Sequence, residues 1–328
     1  MKKAIKSGLA AVVAASTLIG LAACGGGSGD SSSDSGQKTV GFVAVGPEGG
    51  FRTANENDIK QAFKDAGFNL VYSPTQSNDQ QKQIQAFNKF VNDGVDAIIL
   101  SSTEDTGWDD SLKKAAEAEI PVFTVDRNVE VKDSEAKKAI VSHIGPSNEW
   151  AGEQAAERIA KDFPNGANGF ILEGPAGLSV VKDRGTGWNN KVASNIKVLE
   201  SQSANWSTDE AKTVTAGLLD KYKAKNPQFI FAQNDEMGIG AAQAVDAAGL
   251  KGKVKIVTID GTEAALKAVV AGDLDYVIEY NPIFGKETAQ AVKDKLDGKT
   301  PKADIQIESK TFDAAAAKKA LDSGERKY

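Results

Sequence analysis

From residue 38 onward, short apolar runs alternate with stretches whose apolar positions recur every three or four residues. The run at 39–45, rich in Val and Phe, predicts a strand. Ile59, Ala62, Phe63 and Ala66 then fall on one helical face, and Gly67 stands where a helix closes on a left-handed residue. Residues 70–72 predict a second strand, and Ile84, Phe87, Phe90 and Val91 a second helix that stops at Gly94. The runs 95–100 and 122–125 are apolar without alternation, as in strands covered on both faces. This βαβαβα order predicts a parallel sheet. The pattern restarts after His143, with strands at 169–172, 229–232 and 254–259 and helices at 211–222 and 238–248. Two such halves predict two doubly wound α/β lobes of ordinary domain size, joined by a short connection because proline is sparse.

The first residues read as targeting rather than fold. Lys2, Lys3 and Lys6 precede a small, apolar run from Gly8 to Ala23, shorter than the ~20 apolar residues of a spanning helix. Leu21-Ala22-Ala23-Cys24 resembles the lipobox of bacterial lipoproteins, which implies a signal peptide at 1–23 and a lipid on Cys24. A plain export signal cut after Ala23 is the alternative. Residues 25–36 contain only Gly, Ser and Asp, the composition of a flexible tether, and a tether at 24–37 fits an anchored protein.

Composition narrows the chemistry. With 39 Lys+Arg against 45 Asp+Glu, a net charge of -6 argues against nucleic acid as a partner. One Cys excludes an internal disulfide and thiolate zinc sites, and one His leaves triad or multi-histidine metal chemistry resting on His143 alone, which reads as structural. No phosphate loop, H-E-x-x-H or G-x-S-x-G is present; Gly46-Pro47-Glu48-Gly49-Gly50 and Gly238-Ile239-Gly240 lack dinucleotide spacing. No cofactor, metal or catalytic residue is therefore expected.

The strand ends are more telling, because open parallel sheets bind ligands there. They carry Glu48, Phe51 and Arg52; Asp126-Arg127; Asn234-Asp235; and Asp260-Gly261. Taken singly, the Asp and Asn residues read as helix N-caps, Arg52 and Arg127 as solvated cations and Trp206 as core. Together they match the vicinal hydroxyls of a sugar, since carboxylates accept two bonds, guanidinium donates in a fork and carboxamide does both, with Phe51 and Trp206 for the C–H faces. The Asp126 and Asp235 pair lies beside Arg or Asn, which keeps a carboxylate ionised and disfavours glycosidase chemistry.

Several ordered motifs carry a family likeness: 39–46 with Phe51-Arg52, 93–100, Ile120 to Asp126-Arg127, Asn234-Asp235-Glu236-Met237, Ile259-Asp260-Gly261 and Glu279-Tyr280-Asn281-Pro282. From about residue 39 to the C-terminus the chain resembles periplasmic sugar-binding proteins of the ribose/galactose type (type I). The segments at Gly46 to Arg52, Thr106 to Trp108 and Ser201 to Ser203 look closest to the galactofuranose-binding branch. The resemblance implies two Rossmann-like lobes with parallel sheets and a three-strand hinge, 38–144 plus 281–307 and 145–280 plus 308–328. It also implies a sugar enclosed between them and delivery to an ABC permease with its ATPase.

Carried over by position, the resemblance makes Phe51 and Trp206 stacking residues and Arg52, Asp126 and Arg127 the first lobe's polar wall. Arg184, Asn234, Asp235 and Asp260 become partners in the second lobe. Glu48 comes from the galactofuranose-like branch, and Glu279 stands at a hinge position with a one-residue ambiguity across Tyr280 and Asn281. The expected protein is a monomeric, extracytoplasmic lipoprotein binding galactofuranose, fructose, ribose or galactose. A sensor feeding a receptor, a LacI-type effector domain and a furanoside enzyme are the alternatives, the second lacking its helix-turn-helix.

Overall fold

A computed structural model describes residues 36–75, 79–324, 326 and 328. The signal segment 1–23, Cys24 and all but the last two residues of the tether lie outside the described residues. No described helix is long and apolar enough to cross a membrane.

The first half runs β1 (Thr39–Ala44), α1 (Gly50–Asp65), β2 (Asn69–Pro74), α2 (Gln80–Asp93), β3 (Ala97–Leu100), α3 (Asp109–Glu117), β4 (Val122–Val125), α4 (Ser134–Lys137) and β5 (Ile140–Pro146). The second runs α5 (Asn148–Asp162), β6 (Ala167–Glu173), α6 (Ser179–Lys191), β7 (Ile196–Ser203), α7 (Thr208–Lys221), β8 (Pro227–Ala232), α8 (Asp235–Ala247), β9 (Lys255–Asp260), α9 (Glu263–Ala271) and β10 (Tyr276–Glu279). The chain then returns through α10 (Gly285–Leu296), β11 (Asp304–Ile307), β12 (Thr311–Phe312) and α11 (Ala314–Asp322). Gly94 ends α2 at φ 68°, the left-handed conformation expected of a closing glycine.

The strands form two six-stranded sheets, ordered β11-β5-β4-β3-β1-β2 and β12-β10-β9-β8-β6-β7. The first is wholly parallel; the second departs from the expected parallel pattern at its edge, where the two-residue β12 runs antiparallel to β10. The chain passes from one sheet to the other three times, after β5, β10 and β11. Two doubly wound halves with three crossings between them are what the resemblance implied. Central strands β3 and β4 are buried throughout, which is why they lack polar alternation. Each sheet has apolar clusters on both faces. Phe42, Ile99 and Phe123 pack on one side of the first sheet, with Val43, Ile98 and Leu100 on the other; Phe170 and Ile230 oppose Phe229 and Phe231 in the second. His143, within β5, is held by Thr124 at 3.0 Å.

Candidate functional site

The carboxyl ends of the two sheets face each other across a shared, partly open cavity. The first half contributes Glu48, Gly49, Phe51, Arg52, Asp126 and Arg127, and the second Val180, Arg184, Trp206, Asn234, Glu236 and Asp260. Its volume, taken as the space open to the centre of a water molecule, is about 40 Å³. One water radius added all round gives room for a solute of roughly 180 Å³, the share of about six waters in the liquid.

In the first half the wall is a buried ion network. Arg52, at the start of α1, pairs with Asp126 just past β4 and donates to Ser101 Oγ at 3.1 Å. Arg127 donates to Glu48 Oε2 at 2.5 Å and to the Ser102 carbonyl at 3.2 Å. Burial alone would push the Asp126 carboxyl up; Arg52 and Arg127 overcome it and hold Asp126 below the usual carboxylate range. Burial works against Glu48 in the same way and loses to Arg127 and Arg52. Both groups therefore stay acceptors. Among the described residues Glu48 Oε1, Arg52 Nε and Trp206 Nε1 are buried without a protein partner, which leaves one acceptor and two donors on lining residues.

The second half is built differently. Arg184 on α6 donates Nε to Asn148 Oδ1 at 2.9 Å and one terminal nitrogen to the Gln233 carbonyl, while its other terminal nitrogen stands 3.7 Å from Asp260 Oδ1. Its guanidinium lies over the rings of Tyr280 and Trp206, 4.9 and 5.7 Å from their centroids. Burial raises Asp260 well above the usual range; Arg184 opposes this, and the neighbouring Asp235, Glu236 and Asp126 add to it. Trp206 packs over Gly174, where a Cβ would lie 2.0 Å from the indole. Asp126, Trp206 and Asp260 all have positive φ, at 64°, 61° and 137°. Non-glycine residues held there cluster at binding sites.

Nine of the eleven expected sugar contacts line this cavity. Two do not. Asp235 is fully buried behind it, its Oδ2 accepting from Gly261 N, Thr262 N and Thr262 Oγ1 at 2.9, 2.7 and 2.9 Å, so it braces the turn after β9. Burial pushes this carboxyl up to about 7, against the Thr262 and Gly261 bonds. Glu279 turns away to pair with Arg326 and to accept the Lys310 amide at 2.6 Å. Asn234 lines the cavity, yet its Oδ1 caps α8 through Met237 N at 3.0 Å and its amide donates to Glu236 Oε2 at 2.7 Å. The cap and lining readings of Asn234 thus hold together.

Sequence reasoning passed over Glu236 and Tyr280. Tyr280, buried beneath Phe51 at 5.2 Å, donates to the Asp126 carbonyl at 3.3 Å and accepts from Asn148 at 3.0 Å. It links the halves one residue beyond Glu279, where the motif was ambiguous by one.

A family model described as a periplasmic binding protein domain matches residues 40–300. A fructose import binding protein of Bifidobacterium longum is 81% identical over 323 residues, 98% of this chain and 99% of its own length. A galactofuranose-binding protein of Escherichia coli is 35% identical over 292 residues, 87% of this chain and 90% of that protein. A crystal structure from Mycobacterium smegmatis in complex with beta-D-fucofuranose matches with a TM-score of 0.82 at 34% identity, covering 88% of this chain and 95% of that one.

Proposed function

The chain belongs to the periplasmic binding protein family and is a monosaccharide-capturing protein of an ABC importer, and we propose that its sugar is fructose in the furanose ring form. The observation that carries this reading is the cavity lined by Arg52, Asp126, Arg127, Arg184 and Asp260 between two aromatic faces, with room for roughly 180 Å³. One ring of about a dozen non-hydrogen atoms suits that space. Fructose is chosen because the Bifidobacterium longum relative is named for its import, and the furanose form because two other relatives are described with furanoses.

In this mechanism the lobes 38–144 plus 281–307 and 145–280 plus 308–328 open to admit the sugar. They close because only the closed form lets Asp126 and Arg127 on one side and Arg184 and Asp260 on the other bond the same ring. Charge-assisted bonds of ~1.5–3 kcal/mol each, less desolvation and ordering, support micromolar or tighter binding. The protein is a carrier and not a furanoside enzyme, held as a monomer outside the cytoplasm by a lipid on Cys24.

Calorimetric titration with fructose, ribose, galactose and galactofuranose tests the reading, and ¹³C-labelled fructose shows the bound ring form. Saturable heat with fructose at micromolar concentration is expected. Binding of another sugar with no heat from fructose would overturn the assignment.

A further inference from the structure

Two helices that face the cleft begin without a cap of their own. α1 starts after Gly49 with no side-chain cap bond and no acidic residue in its first turn, and α6 starts after Leu178 in the same condition. Every other described α-helix has a capping side chain or an acidic first turn. Partners for α1 and α6 come instead from the opposite lobe. Glu236, at the start of α8, accepts the Gly50 amide at 3.0 Å. Asp105, in the loop after β3, accepts from Ser179 Oγ, on the first residue of α6, at 3.1 Å.

The surfaces are shaped for this meeting. A Cβ on Gly49 would lie 2.6 Å from Glu236 Oε1, and one on Gly50 would lie 3.0 Å from Thr262 Cγ2 across the cleft. Thr262 cannot swing away, since its hydroxyl donates to Asp235 at 2.9 Å and accepts from Ala265 N at 3.2 Å. Asp105 does not line the sugar cavity, so its bond serves closure and not sugar contact.

We infer that Asp105 and Glu236 form a reciprocal clasp, each capping a helix of the other lobe only when the cleft is shut, and that this clasp sets the lifetime of the closed complex. Opening strips both helices of their partners and returns the Gly50 amide, the Ser179 hydroxyl and two helix N-termini to solvent. The inference rests on the reading of the chain as a lobe-closing sugar binder. These two residues are positioning residues; their effect belongs in the dissociation rate, because the clasp forms after encounter.

Stopped-flow tryptophan fluorescence on the full-length protein with fructose separates the rates. Asp105→Ala is expected to raise the dissociation rate about tenfold, equivalent to about 1.4 kcal/mol, with the association rate within about twofold. Asp105→Asn keeps an acceptor and should return the rate to within about threefold of wild type. Gly50→Ala, which favours the helix while crowding Thr262, should weaken binding with the unliganded melting temperature unchanged or higher. A dissociation rate in Asp105→Ala equal to wild type overturns the clasp, as does a lowered unliganded melting temperature that accounts for the change. A wild type that binds none of the monosaccharides overturns the parent reading instead.

Discussion

Replacing Arg184 by alanine separates binding from folding. Of its three guanidinium nitrogens, Nε and one terminal nitrogen are committed to Asn148 and Gln233, and only the other terminal nitrogen, 3.7 Å from Asp260, is free to reach a solute. One charge-assisted bond of about 1.5–3 kcal/mol is therefore at stake, which predicts a Kd raised about 10- to 150-fold. The cost to the fold is read separately. Asp260, already raised by burial, takes a proton more readily once its guanidinium is gone, so no bare charge is left in the cavity. Two lost internal bonds from the same guanidinium cost about 1.5–3 kcal/mol each, and at roughly 2–4 °C per kcal/mol the melting temperature falls by some 6–24 °C. Calorimetry against fructose, with a thermal melt of the same sample, checks both numbers. A folded variant whose Kd stays within about threefold of wild type would refute the placement of Arg184 in the site.

Four further outcomes follow. Trp206→Ala should raise the Kd about tenfold or more by removing one aromatic face, read by calorimetry. Asp235 keeps a proton in the native state that the unfolded chain has released, so unliganded stability should fall as pH rises from about 4 through about 7; Asp235→Asn should flatten that slope in thermal melts across the window. Glu279→Ala leaves Arg326 buried without its carboxylate and should cost about 3–5 kcal/mol in denaturant unfolding, with the Kd for fructose within about threefold of wild type. Cys24→Ala should shift the protein from the membrane to the soluble fraction and abolish incorporation of labelled fatty acid; unchanged membrane association would argue against lipidation.

The legible parts of the fold are those where burial is two-sided. β3 is a continuous apolar run, and the buried middles of β4, β8 and β9 are interrupted only by Thr124 and Thr258, because helices cover both faces of each central strand. Edge strands left a weaker trace. β7 carries Glu200, Ser201 and Gln202 and is largely half-exposed, and the two-residue β12 is too short for any period to show. β5 was hidden for another reason: its Gly145-Pro146 end reads as a break, yet it lies at the strand terminus where proline is tolerated. In the site, residue types at strand ends were legible, whereas their directions were set by contacts distant in sequence, as with the turn of Glu279 toward Arg326.

Adjacent polar pairs at strand ends show why direction matters. Side chains alternate along extended backbone, so two neighbours cannot both enter a cavity unless the chain turns between them. Asn234 sits at φ -149°, and it alone of its pair lines the cavity while Asp235 is sent behind the sheet edge to brace Thr262. Asp126 instead adopts φ 64°, and there both members, Asp126 and Arg127, line the cavity. A left-handed aspartate is unfavourable in itself, and it is held here by the pairing with Arg52 and by the Asp126 amide bonded to the Ile144 carbonyl at 3.0 Å. The strain thus doubles the polar groups that one strand end can present. The first half thus presents polar groups already paired with one another, whereas the second keeps Asp260 raised and one terminal nitrogen of Arg184 3.7 Å from it.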